Sequence, residues 1–207
     1  MDYQEAWNMQ RALAREVAEG RRGGTLLLLE HPPTYTLGRR SKASDLLMPR
    51  VALEALGARV VEVDRGGEAT FHGPGQLVGY PILDLGAWGG PLRYVRALEG
   101  ALMTTLAEYR VTAGRIEGLT GVWVGGEKIA AIGVRVSRGV TTHGFALNVA
   151  TDLGWFQHIV PCGIRDRGVT SMQRVLGRAP SLEEVAEVIA NRLGQEMGME
   201  MVGGATL

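Results

Sequence analysis

One cysteine, two lysines and four histidines carry most of the reactive chemistry in this sequence. Cys162 stands in Val160-Pro161-Cys162-Gly163-Ile164, where proline and glycine argue against regular helix or mid-sheet and for a loop. A lone thiol rules out an internal disulfide and a Cys-rich metal site, leaving an inert buried hydrophobe or a reactive nucleophile. Loop placement without apolar neighbours at either side favours a partly exposed thiol, which is a nucleophile if a cation or base lies beside it. Lys128, in Gly126-Glu127-Lys128-Ile129-Ala130-Ala131-Ile132-Gly133, opens an apolar, small-residue strand. It is either a hairpin lysine in solvent or that cation. Among the histidines, His31 ends a strand before Pro32-Pro33, and His158 cannot share a continuous helix with Cys162 because Pro161 intervenes. His143 lies on an otherwise apolar strand and reads as a satisfied structural residue, while His72 is open.

The second concentration of chemistry is Arg65-Gly66-Gly67-Glu68-Ala69-Thr70-Phe71-His72-Gly73-Pro74-Gly75-Gln76-Leu77-Val78-Gly79-Tyr80-Pro81. Glycines at this density let the backbone approach a bound group closely. The alternative is a surface loop that turns twice. Leu77, Val78, Tyr80, Ile82 and Leu83 read as a strand entering the interior, which puts the glycine segment at the edge of a core element.

These groups must be positioned by the elements between them. Ala6, Met9, Leu13 and Val17 predict an amphipathic helix over Asp2 to Glu19, and Thr25 to Leu29 a buried strand stopped by Pro32-Pro33 and resumed by Thr34 to Leu37. Arg59 to Val63 leads into the glycine segment and Pro81 to Leu85 away from it. Val95, Leu98, Leu102, Leu106 and Tyr109 predict a second long helix from Pro91. Gly121 to Val124, Gly125-Gly126 and Ile129 to Val136 form a hairpin, and His143, Phe145, Leu147 and Val149 alternate as a further strand. Ser181-Leu182-Glu183-Glu184 is a capping box that opens a last helix. Terminal helices around hairpin-type strands predict an α+β fold with a mixed, largely antiparallel sheet flanked by helices.

At 207 residues and 45% hydrophobic content the chain fits one domain, 1–207. Twenty-two basic and 22 acidic residues cancel, so no overall field draws in nucleic acid or a membrane, and any charged partner is met locally. Arg39, Arg40 and Lys42 form the densest basic cluster. Neither a secretory leader nor an apolar run of about 20 residues is apparent, which predicts a cytoplasmic protein. No G-x-x-x-x-G-K-[ST] occurs, and Gly73-Pro74-Gly75 lacks the third glycine of G-x-G-x-x-G, so nothing signals ATP or NAD.

The glycine segment, with Gly126 to Gly133, His143-Gly144-Phe145-Ala146-Leu147-Asn148 and Pro161-Cys162-Gly163 following in order, resembles the lipoyl(octanoyl) transferases over about residues 25 to 175. Position 71, often tyrosine or tryptophan in that family, is Phe71 here. The resemblance implies a fold like the catalytic domain of biotin and lipoate protein ligases and transfer of an octanoyl group from acyl carrier protein to a lysine of a lipoyl domain. Acceptors would be the lipoyl domains of 2-oxoacid dehydrogenase complexes and the glycine cleavage H protein. Cys162 then corresponds to the acyl-accepting nucleophile and Lys128 to its partner. Arg65, Gly66, Gly67, Glu68, Ala69, Thr70, Phe71 and His72, with Ala131, Ile132, Gly133, Gly144, Phe145 and Ala146, match segments that line the substrate site.

Residue chemistry fits this independently. A thiol of pKa about 8.5 is mostly protonated at neutral pH, and an ammonium nearby favours its thiolate. Attack on a thioester preserves the donor's activation, so no nucleotide, metal or other cofactor is required. Lys128 or His72 could take the proton of the incoming amine. Ala130, Ala131, Ile132 and Gly133 with Phe145 offer the mixture of sizes an acyl slot needs, or ordinary core packing. An ATP-dependent ligase would share the fold but need no cysteine, and a non-enzymatic acyl-binding module would leave Cys162 structural.

Overall fold

The computed structural model describes residues 1–86, 88–160 and 167–203. In chain order its strands are β1 (Thr25–Leu29), β2 (Thr34–Leu37), β3 (Arg59–Glu62), β4 (Ala69–His72), β5 (Gln76–Ile82), β6 (Gly114–Ile116), β7 (Leu119–Val124), β8 (Glu127–Ser137) and β9 (Val140–Asn148). Its α-helices are α1 (Tyr3–Ala18), α2 (Arg50–Ala55), α3 (Gly90–Glu108), α4 (Met172–Leu176) and α5 (Leu182–Met197). Asp2 starts α1 by accepting the Gln4 and Glu5 N–H groups, a cap worth about 1 kcal/mol. Ser181 and Glu184 close the capping box of α5 reciprocally.

The larger sheet has the order β1-β5-β9-β8-β7-β6 with every pair antiparallel. The smaller has β2 between β3, to which it is parallel, and β4, to which it is antiparallel. Helices α3 and α5 cover one face of the larger sheet: Tyr94, Leu98, Leu102, Val185 and Ile189 pack with Leu77, Ile129, Ala130, Phe145 and Leu147. Each such buried aliphatic side chain contributes roughly 1.5–3 kcal/mol. Helix α1 covers β1, β5 and β9 from the other face, where Ala6 and Val17 meet Leu27, Val78, Tyr80 and Ala146. Tyr35, Leu53, Val60, Phe71 and Phe156 form a separate core under the smaller sheet.

This is the α+β architecture expected, with two differences. Thr34–Leu37 does not resume β1, because the chain turns at Pro32-Pro33 and gives β2 to the smaller sheet. The glycine segment is likewise not one loop between two core strands. Ala69–His72 pairs with β2, residue 72 opposite 34, before the turn at Gly73-Pro74-Gly75 sends the chain back into the larger sheet as β5. The segment therefore joins the two sheets. No helix among the described residues is long and apolar enough to cross a membrane.

Candidate functional site

Between the two sheets lies a cavity of about 810 Å³, within the range of small-molecule sites. Its floor is the middle of β8 and β9, where Ala131 pairs with Ala146 and Gly133 with Gly144. Its roof is Arg65 to Glu68 with Thr70 and His72. The roof presses closely on the floor. A Cβ at Gly133 would lie 2.9 Å from the Gly66 carbonyl oxygen and 3.0 Å from Arg65 Cδ, so only glycine admits the arginine there.

Strand periodicity sorts the residues expected to line the site. On β4, Thr70 and His72 face the cavity. Ala69 and Phe71 do not: both are buried in the core of the smaller sheet, the Phe71 ring stacked on Trp155 with centroids 5.2 Å apart, because successive side chains of a strand point to opposite faces. On β8 and β9, Ile132 and Phe145 border the cavity while packing into the α3 and α5 core, and Ala130 is wholly in that core. The slot lining therefore combines the small Ala131, Gly133, Gly144 and Ala146 with the larger Ile132 and Phe145, and of the residues expected to shape it Ala130 alone turns away.

Lys128 reaches the same face through a bulge. Val122 pairs with Ala130 but Trp123 pairs with Lys128, so Ile129 is an extra residue on β8. Ile129 and Ala130 consequently both enter the helical core. The alternation restarts one residue out of phase and turns Lys128 into the cavity with Ala131. At 6% exposure it is not the solvent-facing hairpin lysine, and its Nζ sits 4.8 Å from the Trp123 ring centre. Its backbone is bridged to the distant segment around Val169: Lys128 N–H donates to the Gly168 carbonyl at 2.9 Å and its carbonyl accepts from Thr170 N–H at 3.0 Å.

His72 is held from both sides. Arg65 Nη2 donates to Thr36 Oγ1 at 2.8 Å, which leaves the hydroxyl proton for His72 Nε2 at 3.3 Å. His72 Nδ1–H then donates to Gln76 Oε1 at 2.8 Å, and Gln76 Nε2 donates to Asn148 Oδ1 at 2.9 Å. Asn148 Nδ2 donates in turn to the Thr170 carbonyl at 3.0 Å. The network assigns His72 as the neutral Nδ1–H tautomer. Burial, with help from His31 and Arg65, pushes its pKa well below the ordinary histidine value. Both ring nitrogens are occupied, which argues against His72 as a proton acceptor for substrate.

Tyr3 stands between three histidines: 4.9 Å from His31 and 5.8 Å from His72 by ring centroids, with its hydroxyl 3.4 Å from His143 Nδ1. His31 donates to the Met1 carbonyl and accepts from Tyr80 Oη. Burial lowers its pKa to about 4 and raises that of Tyr3 to about 12. His143 has φ of +58°, which rotates it off the face that carries Phe145 and toward Trp7 and Asp64. There its Nε2–H donates to Asp64 Oδ1 at 2.8 Å. Burial, then Arg65, Arg135 and Arg11, lower its pKa to about 3 despite that carboxylate.

Cys162, with Pro161 and Gly163, lies outside the described residues. Arg39 and Arg40 of the basic cluster border the cavity, Arg40 bridging to Glu68 at 3.1 Å, whereas Lys42 lines a separate groove. Tyr3, Asp64 and the cavity residues Gly118, Leu119 and Thr120 are not singled out by the motifs of the sequence. For Tyr3 the signal was present, since it extends the buried stripe of α1 by one step before Ala6.

The sequence of residues 2–194 matches the model of the lipoyl protein ligase A/B catalytic domain. An octanoyltransferase of Chloroflexus aggregans is 55% identical over 191 residues, which cover 90% of this chain and 86% of that one. A lipoate-protein ligase A solved with ATP superposes with a TM-score of 0.74 at 18% identity, covering 95% of this chain and 83% of that one. The biotin protein ligase of Aquifex aeolicus does so with a TM-score of 0.54 at 16% identity, over 79% and 70%.

Proposed function

The chain belongs to the family of the lipoyl protein ligase A/B catalytic domain, and on that premise we propose that it is a cytoplasmic octanoyltransferase whose 207 residues act as one catalytic unit. The donor is octanoyl-acyl carrier protein. The acceptor is the lysine of a lipoyl domain, as in 2-oxoacid dehydrogenase complexes and the glycine cleavage H protein. Cys162 Sγ attacks the donor's thioester carbonyl, the carbon–sulfur bond to the carrier breaks, and the carrier thiol leaves with a proton. The acceptor amine then attacks the enzyme thioester, the amide forms, and the amine's surplus proton restores the Cys162 thiol. Lys128 favours the thiolate in the first half and relays the proton in the second.

The observation that carries this reading is the placement of Lys128. It is a buried cation, turned into a cavity floored by small residues, whose backbone is hydrogen-bonded to Gly168 and Thr170, a few residues after Cys162. The tetrahedral oxyanion would be met by backbone N–H groups of the glycine segment other than those of Gly66 and Gly75, which already donate to the Val134 carbonyl and the Glu30 carboxylate. Acceptor and donor use the same mouth in turn, which the two-step chemistry permits. Transfer from octanoyl-carrier protein to an isolated lipoyl domain, followed by mass spectrometry without nucleotide, tests the reading; a requirement for ATP would replace it with the ligase reaction.

A further inference from the structure

Glu99 of α3 is wholly buried and outside the cavity. Its Oε2 accepts from Arg96 Nη1 at 2.6 Å and Arg115 Nε at 2.7 Å, and its Oε1 accepts from the backbone N–H of Gly121 at 3.2 Å. A carboxylate is costly to bury, and here its two guanidinium partners offset that cost. The arginines lie at the surface, so the interior bond goes to one peptide group.

That peptide is next to Lys128. Gly121 has φ of +124°, and a Cβ there would come within 2.7 Å of the Ala130 carbonyl oxygen, 3.3 Å of Lys128 Cε and 3.6 Å of Lys128 Cδ. The lysine stem thus crosses directly over Gly121, beside the register shift between Val122 and Trp123 that turns Lys128 inward. We propose that Glu99 is a positioning residue: by holding the Gly121 peptide it fixes the ledge over which Lys128 reaches the cavity. The mechanistic importance of that position rests on the function proposed above; the position itself does not.

The chain has two lysines, Lys42 and Lys128, so protein labelled with ε-¹³C,¹⁵N-lysine gives two side-chain signals, the exposed Lys42 serving as internal reference. With Nζ 4.8 Å from the Trp123 ring centre, the Lys128 ε-methylene protons are expected upfield of those of Lys42. Glu99→Gln keeps a carbonyl in reach of Gly121 and leaves that shift in place. Glu99→Asp keeps the charge but is one methylene shorter, so it moves the Lys128 signal toward that of Lys42. It also lowers kcat about tenfold, with KM for the octanoyl donor within about twofold. An unmoved Lys128 signal in a folded Glu99→Asp protein overturns the proposal. Movement with unchanged kcat upholds the positioning and overturns the role given to Lys128. Should Glu99→Asp not fold, Glu99→Leu with Arg96→Leu and Arg115→Leu removes the buried charge together with its two partners, a replacement buried ion networks often tolerate, and takes away the acceptor of the Gly121 N–H. It is expected to move the same signal, and no movement there counts equally against the proposal.

Discussion

Lys128 and Trp123 face each other across β7 and β8, the lysine Nζ 4.8 Å from the indole centre, because one extra residue on β8 puts them opposite. The indole offers the ammonium a cation–π partner, and among the described residues no carboxylate pairs with it; on the proposed function its charge then serves a thiol. Lys128→Met keeps the aliphatic stem and removes that charge. Octanoyl transfer is expected to fall about 100-fold or more, as for loss of an acid–base group, and the alkylation rate of Cys162 is expected to reach half-maximum at higher pH. An unchanged alkylation profile assigns the partnership to another group.

The slot also makes a size prediction. Ala131 lies half-buried on the floor opposite Ala146, so Ala131→Leu fills space an acyl tail would use without entering the helical core. With each methylene worth about 0.8 kcal/mol of burial, octanoyl transfer is expected to drop while transfer from a butanoyl thioester stays within about twofold. Competition between the two donors measures this directly. Equal loss with both would locate the tail elsewhere.

His31 and His143 are buried neutral, with pKa values lowered to about 4 and about 3 from the ordinary 6.5, chiefly by desolvation. Between the folded and unfolded values the unfolded chain binds more protons. The contribution to stability is therefore complete above pH 6.5 or so and is lost as pH falls toward 4; for His31 it amounts to about 3 kcal/mol. Urea titrations from pH 7.5 to 4.5 should show a falling midpoint. His31→Asn should be less stable at pH 7.5 and lose less on acidification.

How much of this could be read in the sequence follows from which forces are local. The α1 stripe, the capping box at Ser181 and the β7–β8 hairpin are set by spacing over a few residues, and all appear as expected. The inward turn of Lys128 depends on a register shift, and the rotation of His143 on a positive φ; neither leaves a mark in periodicity. A motif runs continuously along the chain and so includes Ala69 and Phe71 among the residues expected at the substrate site, whereas the strand divides them from Thr70 and His72 onto its other face. The assignment of Thr34–Leu37 to its own sheet needed the partner strands β3 and β4.

The mouth of the cavity bears on partners. Arg39 is exposed at its edge, whereas Arg40 is tied to Glu68, so Arg39→Glu is the cleaner change. Rim charges govern association rate and salt dependence. We expect Arg39→Glu to raise the apparent KM for an acidic carrier-protein donor about threefold or more at low salt and to flatten its salt dependence, with kcat little changed. A small octanoyl thioester should react as with the wild type. Equal impairment of both donors would put Arg39 in the reaction rather than in docking.

On the proposed mechanism the acyl group passes through Cys162. Mixing the protein with octanoyl-carrier protein, quenching in acid and measuring the intact and peptide masses should show one octanoyl group on the peptide that contains Cys162, removable by hydroxylamine and by added lipoyl domain. Cys162→Ala should remain folded, take up no acyl group and transfer none. An Ala variant that keeps substantial transfer, or an acyl group found stably on the enzyme that the lipoyl domain does not accept, would rule out Cys162 as the carrier of the acyl group.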